Sequence, residues 1–186
     1  MESRQRGNSA GNTNAHLAAN LRTARQAVGM DLRTLAERIK ATGRMMSPSA
    51  LSKIENGDRR VDVDDLTVLA YLLQTTPAAL LTPPEGGPAP AGVPEERYTD
   101  EELQRWVQGA VKLTTEDLLR YWREAGFVAA GYIHRFEGIL ANYDEGQVGI
   151  TPREVYEQRL TTERGRLALA NGRILQLDPS AVPIPD

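Results

Sequence analysis

Apolar residues recur every three to four positions over several short stretches of the front half of the chain. Leu17, Leu21, Ala24 and Val28 share one face of a helix predicted over His16 to Ala27 and closed by Gly29. Asp31 is placed to cap a second helix, in which Leu32, Leu35, Ala36 and Ile39 lie on one side and Gly43 marks the break. Ser47-Pro48 opens a third. The serine oxygen can accept from a free first-turn amide, and the proline stands where a missing N–H costs nothing. Leu51 and Ile54 carry the apolar face of this helix, and Asn56-Gly57 ends it as a left-handed C-cap pair. A fourth helix from about Asp62 turns Leu66, Leu69, Ala70 and Leu73 inward, and a short fifth covers Pro77 to Leu81. Residues 15–82 thus read as a compact unit of five short helices.

The pattern then changes. Thr82 to Arg97 holds Pro83, Pro84, Pro88, Pro90 and Pro94 with Gly86, Gly87 and Gly92, a composition that builds no packed element and predicts a linker over 83–97. At the other end, residues 1–14 are rich in Gly and Asn and carry Arg4 and Arg6. They read as a flexible basic arm: an unstructured leader, with entry of the arginines into a minor groove as the alternative.

Residues 98–186 predict a second, mostly helical domain. Thr99-x-x-Glu102 is a capping box opening a helix with Leu103, Trp106, Val107 and Ala110 on one face. Thr114-x-x-Asp117 opens another, carrying Leu118, Tyr121, Trp122 and Ala125 to a break at Gly126; Phe127 to Tyr143 is read as a third, and Thr151-Pro152 opens a fourth. Leu167, Leu169, Asn171-Gly172, Ile174, Leu175 and Leu177 predict a β-hairpin, with a helix ending at Gly172 as the competing reading. The expected fold class is mostly α.

Composition narrows the chemistry. Apolar content of 40% and charge of 25% are those of globular chains. The absence of Cys removes disulfides, thiolate metal sites and a Cys nucleophile, and His16 and His134 are too far apart in sequence to suggest a histidine zinc site. No metal or cofactor is expected. No apolar run approaches a membrane span, and the polar start lacks the apolar core of a secretory signal, so a cytoplasmic protein with no membrane partner is expected. The formal charge of −3 hides an asymmetry. Residues 1–60 carry +6, which Asp62, Asp64 and Asp65 reduce to +3 by residue 82, while residues from 83 onward carry −6. A basic front unit on an acidic chain points to a polyanion partner for that unit alone.

The third helix divides into two faces. Ala50, Leu51 and Ile54 pack inward; Ser49, Ser52, Lys53 and Asn56 remain outside, with Arg59 and Arg60 directly after. Short hydroxyls and a lysine suit base edges, and the arginines suit phosphates. Two helices joined by a short turn let one brace on a DNA backbone while the next enters the major groove.

Leu35-Ala36-Glu37, the string from Ser47 through Leu51-Ser52, Ile54-Glu55 and Gly57, then Leu66, Leu69-Ala70 and Pro77 to Leu81, resemble the helix-turn-helix domain of the lambda-repressor-like (Cro/CI, xenobiotic-response-element) regulators over about residues 15–82. The resemblance implies a five-helix domain that binds double-stranded DNA through its third helix. It makes Ser49, Ser52 and Lys53 base-facing, and Ser47 and Asn56 phosphate or groove-edge contacts. It also implies that Glu55 is a buried acid paired with Arg25, a structural ion pair. The interval from Ala36 to Ser47 is longer than the family's usual spacing, so either helix two is extended or the turn over Thr42 to Met46 is enlarged. Leu32 and Pro48 stand where the family often has long polar side chains. Arg33 and Thr34 are candidates to replace those phosphate anchors, and Arg44 either does the same or is simply solvated.

Some relatives of such domains carry a self-cleaving Ser-Lys peptidase, and Ala91-Gly92 lies where the cut would fall. Beyond residue 82, however, the chain has only Ser180 and Lys112, in reversed order and with the serine near the end. That argues against an enzyme. The reading is a sequence-specific DNA-binding transcriptional regulator, a repressor of phage or bacterial type, acting as a homodimer whose C-terminal domain serves self-association or regulation through an unidentified ligand or partner. Two alternatives remain: an antitoxin-like module that grips a protein partner and binds DNA secondarily, or a monomeric repressor that also touches DNA through Arg159, Arg164, Arg166 and Arg173.

Overall fold

The computed structural model describes residues 9–143 and 151–185. Arg4 and Arg6 lie outside the described residues. The chain divides into two units, Met1–Ala110 and Val111–Asp186. Among the described residues there is no strand, and no helix is long and apolar enough to cross a membrane.

The first unit contains α1 (Asn12–Ala27), α2 (Leu32–Ala41), α3 (Pro48–Glu55), α4 (Val63–Leu72), α5 (Pro77–Leu81), a 3-10 turn (Glu95–Arg97) and α6 (Asp100–Val107). Local chemistry sets the starts of these helices. Asp31 accepts from the Thr34 amide, Ser47 from Ala50, Asp62 from Asp65 and Thr76 from Ala79, each side chain satisfying a donor that the first turn leaves free. Leu21, Leu35, Leu51, Ile54 and Leu69 are fully enclosed where α1 to α4 meet. Truncating one of them, Leu51→Ala for example, removes about 2–5 kcal/mol.

The Pro-rich segment, expected to be a spacer between domains, lies within this unit instead. Asn20 Nδ2 donates to the Leu80 and Thr82 carbonyls at 3.2 and 2.8 Å, and Asn12 Nδ2 to the Ala89 carbonyl at 3.0 Å. The Ala91 amide donates to Thr13 Oγ1 at 2.9 Å, and Pro83, Ala89 and Pro90 are buried. A proline-rich segment has few N–H donors to satisfy, so a helix presenting asparagine amides can hold it mainly by its carbonyls. The same contacts start α1 at Asn12, inside the stretch predicted as an arm. α6 is joined on as well, since Gln104 Nε2 donates to the Pro83 carbonyl at 3.3 Å and Asp100 accepts from the Gly86 amide at 2.7 Å. The chain therefore divides after Ala110 rather than at the proline cluster.

The second unit is built on two long helices, α7 (Thr115–Ala141) and α8 (Arg153–Leu177). Gly126 on α7 lies against Leu167 and Ala170 of α8 while Phe136 meets Tyr156, so the helices run antiparallel. Two expectations are corrected here. α7 passes through Gly126 without a break, because the absent Cβ there is room for the Ile184 side chain, which a methyl group would meet head-on. The predicted hairpin is helix. Leu167, Ala170 and Ile174 are buried at helical spacing while Leu169 and Leu175 are exposed, and α8 continues through Asn171-Gly172 to Leu177. Asn171 caps nothing; its amide exchanges two 2.8 Å hydrogen bonds with the backbone of Ile184.

Candidate nucleic-acid interface

α2 ends at Ala41 and α3 begins at Pro48, so the long interval is taken up in the turn and not by a longer helix. Arg44 fixes that turn. Its guanidinium reaches Asp65 at 2.7 Å, Asp64 at 3.3 Å and Asp62 at 3.4 Å, all at the start of α4. The hydrogen bond to Asp65, helped by the neighbouring carboxylates, raises its pKa further above the ordinary arginine value. Arg44 is therefore neither a free phosphate anchor nor merely solvated.

On α3 the expected division into faces holds. Leu51 and Ile54 are buried; Ser49, Lys53 and Asn56 are exposed and Ser52 is half-buried. Ser49 and Lys53, one turn apart, stand one above the other on the outer face. Ser47 is exposed, but its Oγ accepts from the Ala50 amide at 3.1 Å. Asn56 Oδ1 accepts from Arg22 Nη2 at 2.8 Å, which leaves its amide group outward. Arg59 and Arg60 follow, exposed, and Arg33 is exposed on the first turn of α2. Among the described residues, Arg33, Lys53, Arg59 and Arg60 make no ion pair with a carboxylate, so four cations surround the outer face of α3 with no protein counter-charge in contact. Thr34 is half-buried, its amide committed to Asp31 at 2.7 Å; this bond, more than any other influence, holds the Asp31 carboxyl below its ordinary pKa.

Behind α3, Arg25 and Glu55 meet. Arg25 Nε donates to Oε1 at 2.6 Å and Nη2 to Oε2 at 2.9 Å, while Nη1 donates to the Met30 carbonyl at 2.7 Å. The bond to Glu55 raises the Arg25 pKa. Arg22 adds a longer contact to Glu55 at 3.6 Å and a hydrogen bond to its carbonyl at 3.3 Å. Asn14 Nδ2 reaches the Gly57 carbonyl at 3.2 Å. Two cations and an amide on α1 thus satisfy the end of α3, where its dipole is negative.

The sequence reading missed two residues. Arg22 carried no motif, and only the contact with Asn56 reveals it. Met45 is 81% exposed beside Ser47, whereas Met46 is buried, and adjacent methionines in a turn give no period from which to choose between them. Met45 borders a groove shared with Arg33, Ala36, Glu37, Lys40 and Ser47.

In the second unit, Arg164 pairs with Glu137 at 2.6 Å and Arg166 with Glu163 at 2.7 Å, and both arginine side chains remain exposed. Among the described residues no group of three His, Asp or Glu side chains is arranged to hold a metal.

Compared with known proteins, neither a curated sequence nor a solved structure matches the chain. One family does: residues 16–81 match the helix-turn-helix domain. That span begins on α1 and ends with α5, and it encloses every cation around α3 named above. Residues 16–81 are accordingly a helix-turn-helix domain of the lambda-repressor-like type, the kind of domain that suggests a DNA-binding regulator.

Proposed function

We propose that this chain is a sequence-specific transcriptional regulator, a repressor of phage or bacterial type, that binds double-stranded DNA as a homodimer on two half-sites about one helical turn apart. The observation that carries the reading is the outer face of α3, where Ser49 and Lys53 are exposed and Lys53, Arg59 and Arg60 have no carboxylate partner among the described residues. Ser49, Ser52 and Lys53 read base edges. Ser47 and Asn56 sit at the groove edge, and Arg33, Arg59 and Arg60 take phosphates, with Thr34 beside them at the start of α2. Met45 adds an apolar side chain of the sort that meets a thymine methyl.

With about four phosphates neutralised per protomer, the logarithm of affinity falls against the logarithm of salt with a slope of roughly −7 for the dimer. The reading gives the chain no catalytic step; Ser180 spends its hydroxyl on Asp178 at 2.7 Å. A hydroxyl-radical footprint on a bound fragment tests the proposal. Two protected patches about ten base pairs apart support it, and a single short patch or uniform protection contradicts it.

A further inference from the structure

Besides the face it packs on α8, α7 carries a second apolar stripe. Val128 is 60% exposed and Tyr132 44%, with Tyr121, Ala125 and Ile139 half-buried beside them. Positions 121, 125, 128, 132 and 139 follow the alternating four-and-three spacing that places residues on one seam of a paired helix. Glu124 flanks this seam and Arg135 takes the position on it between Tyr132 and Ile139; both are exposed, and among the described residues neither makes an ion pair. Gly131 and Gly138 lie on the same edge, with open space where a Cβ would stand.

We propose that this seam docks antiparallel on the same seam of a second copy, about a twofold axis that crosses α7 between Ala129 and Ala130. That one axis sets Glu124 opposite the partner's Arg135, Val128 opposite the partner's Gly131 and Tyr121 opposite the partner's Gly138, and symmetry repeats each pairing in reverse. An apolar stripe alone would suit many partners. Here the charges are opposite in sign, Tyr121 and Val128 each face a glycine, and Tyr132 faces the partner's Phe127, all under a single axis, the self-complementarity an isologous contact requires. A parallel pairing would instead set Glu124 against Glu124 and Arg135 against Arg135. Two α7–α8 pairs joined in this way make a four-helix bundle. The inference rests on the homodimer reading and names the surface that makes the dimer.

Sedimentation equilibrium of the full chain tests it. Glu124→Arg and Arg135→Glu should each weaken dimerisation by about tenfold or more, since each places like charges together, and the double exchange E124R/R135E should return it to within about threefold of the original. Gly131→Leu, at a position where an added Cβ has open space, should weaken the dimer while circular dichroism shows helix content retained. A dimer indifferent to all four changes would overturn the α7 surface and leave the homodimer reading intact. A chain that is monomeric alone would overturn both, whatever its affinity for DNA.

Discussion

Arg25 and Glu55, thirty residues apart in sequence, form a forked pair in which two guanidinium nitrogens each bond one carboxylate oxygen, at 2.6 and 2.9 Å. The Glu55 side chain is 4% exposed and that of Arg25 14%, so the pair locks α3 to α1 behind the exposed face of α3. Removing one partner strands a buried charge. Arg25→Met is expected to cost about 3 kcal/mol in urea unfolding, and the double change R25M/E55L to recover most of it by replacing two charges with packed apolar volume. Recovery failing in the double variant would mean that the fork positions α3 in a way apolar contact cannot.

Lys53 is exposed and, among the described residues, forms no ion pair. Lys53→Ala should leave the unfolding midpoint unchanged while weakening operator binding by about 1–3 kcal/mol and relaxing preference at one base position. Equal weakening on every sequence would assign it to the backbone instead.

Arg44 gives the contrasting case. Because its guanidinium is occupied by Asp62, Asp64 and Asp65, Arg44→Ala should leave the salt slope of DNA binding unchanged and lower stability only slightly. A slope reduced by about two, one contact from each protomer, would show that it contacts phosphate in the complex.

His16 is 3% exposed, and neither ring nitrogen finds a hydrogen-bond partner of good geometry. Burial lowers its pKa, with the Pro88 backbone pulling the other way. As pH falls, the unfolded chain takes up this proton before the folded one does, so stability is full above the ordinary histidine pKa and declines as pH drops below it. Asp31, lowered by the Thr34 amide, adds its own loss only below about pH 4. Thermal unfolding through this range should show the decline, and His16→Leu should flatten the portion that begins at the ordinary histidine pKa.

The first unit was legible where structure follows from neighbours. Asp31, Ser47 and Asp62 each bond an amide three residues on, a rule that needs no tertiary knowledge, and the period of α3 separated Leu51 and Ile54 from Ser49 and Lys53. What failed was non-local. Gly126 reads as a helix break and Asn171-Gly172 as a turn, until Ile184 fills the space over one and takes both hydrogen bonds of the other's asparagine. The proline cluster reads as a spacer until Asn12 and Asn20 donate to its carbonyls. Arg44 reads as a free cation until α4 brings three carboxylates to it.

The most direct measurement is selection of bound fragments from random duplexes by the full chain, repeated with Ser49→Ala and Lys53→Ala. Enrichment of a palindrome with half-sites about one turn apart, changed at defined positions by those two substitutions, is the predicted result. No enrichment over the starting pool, or a motif that neither substitution alters, would contradict the assignment of α3 as the reading helix.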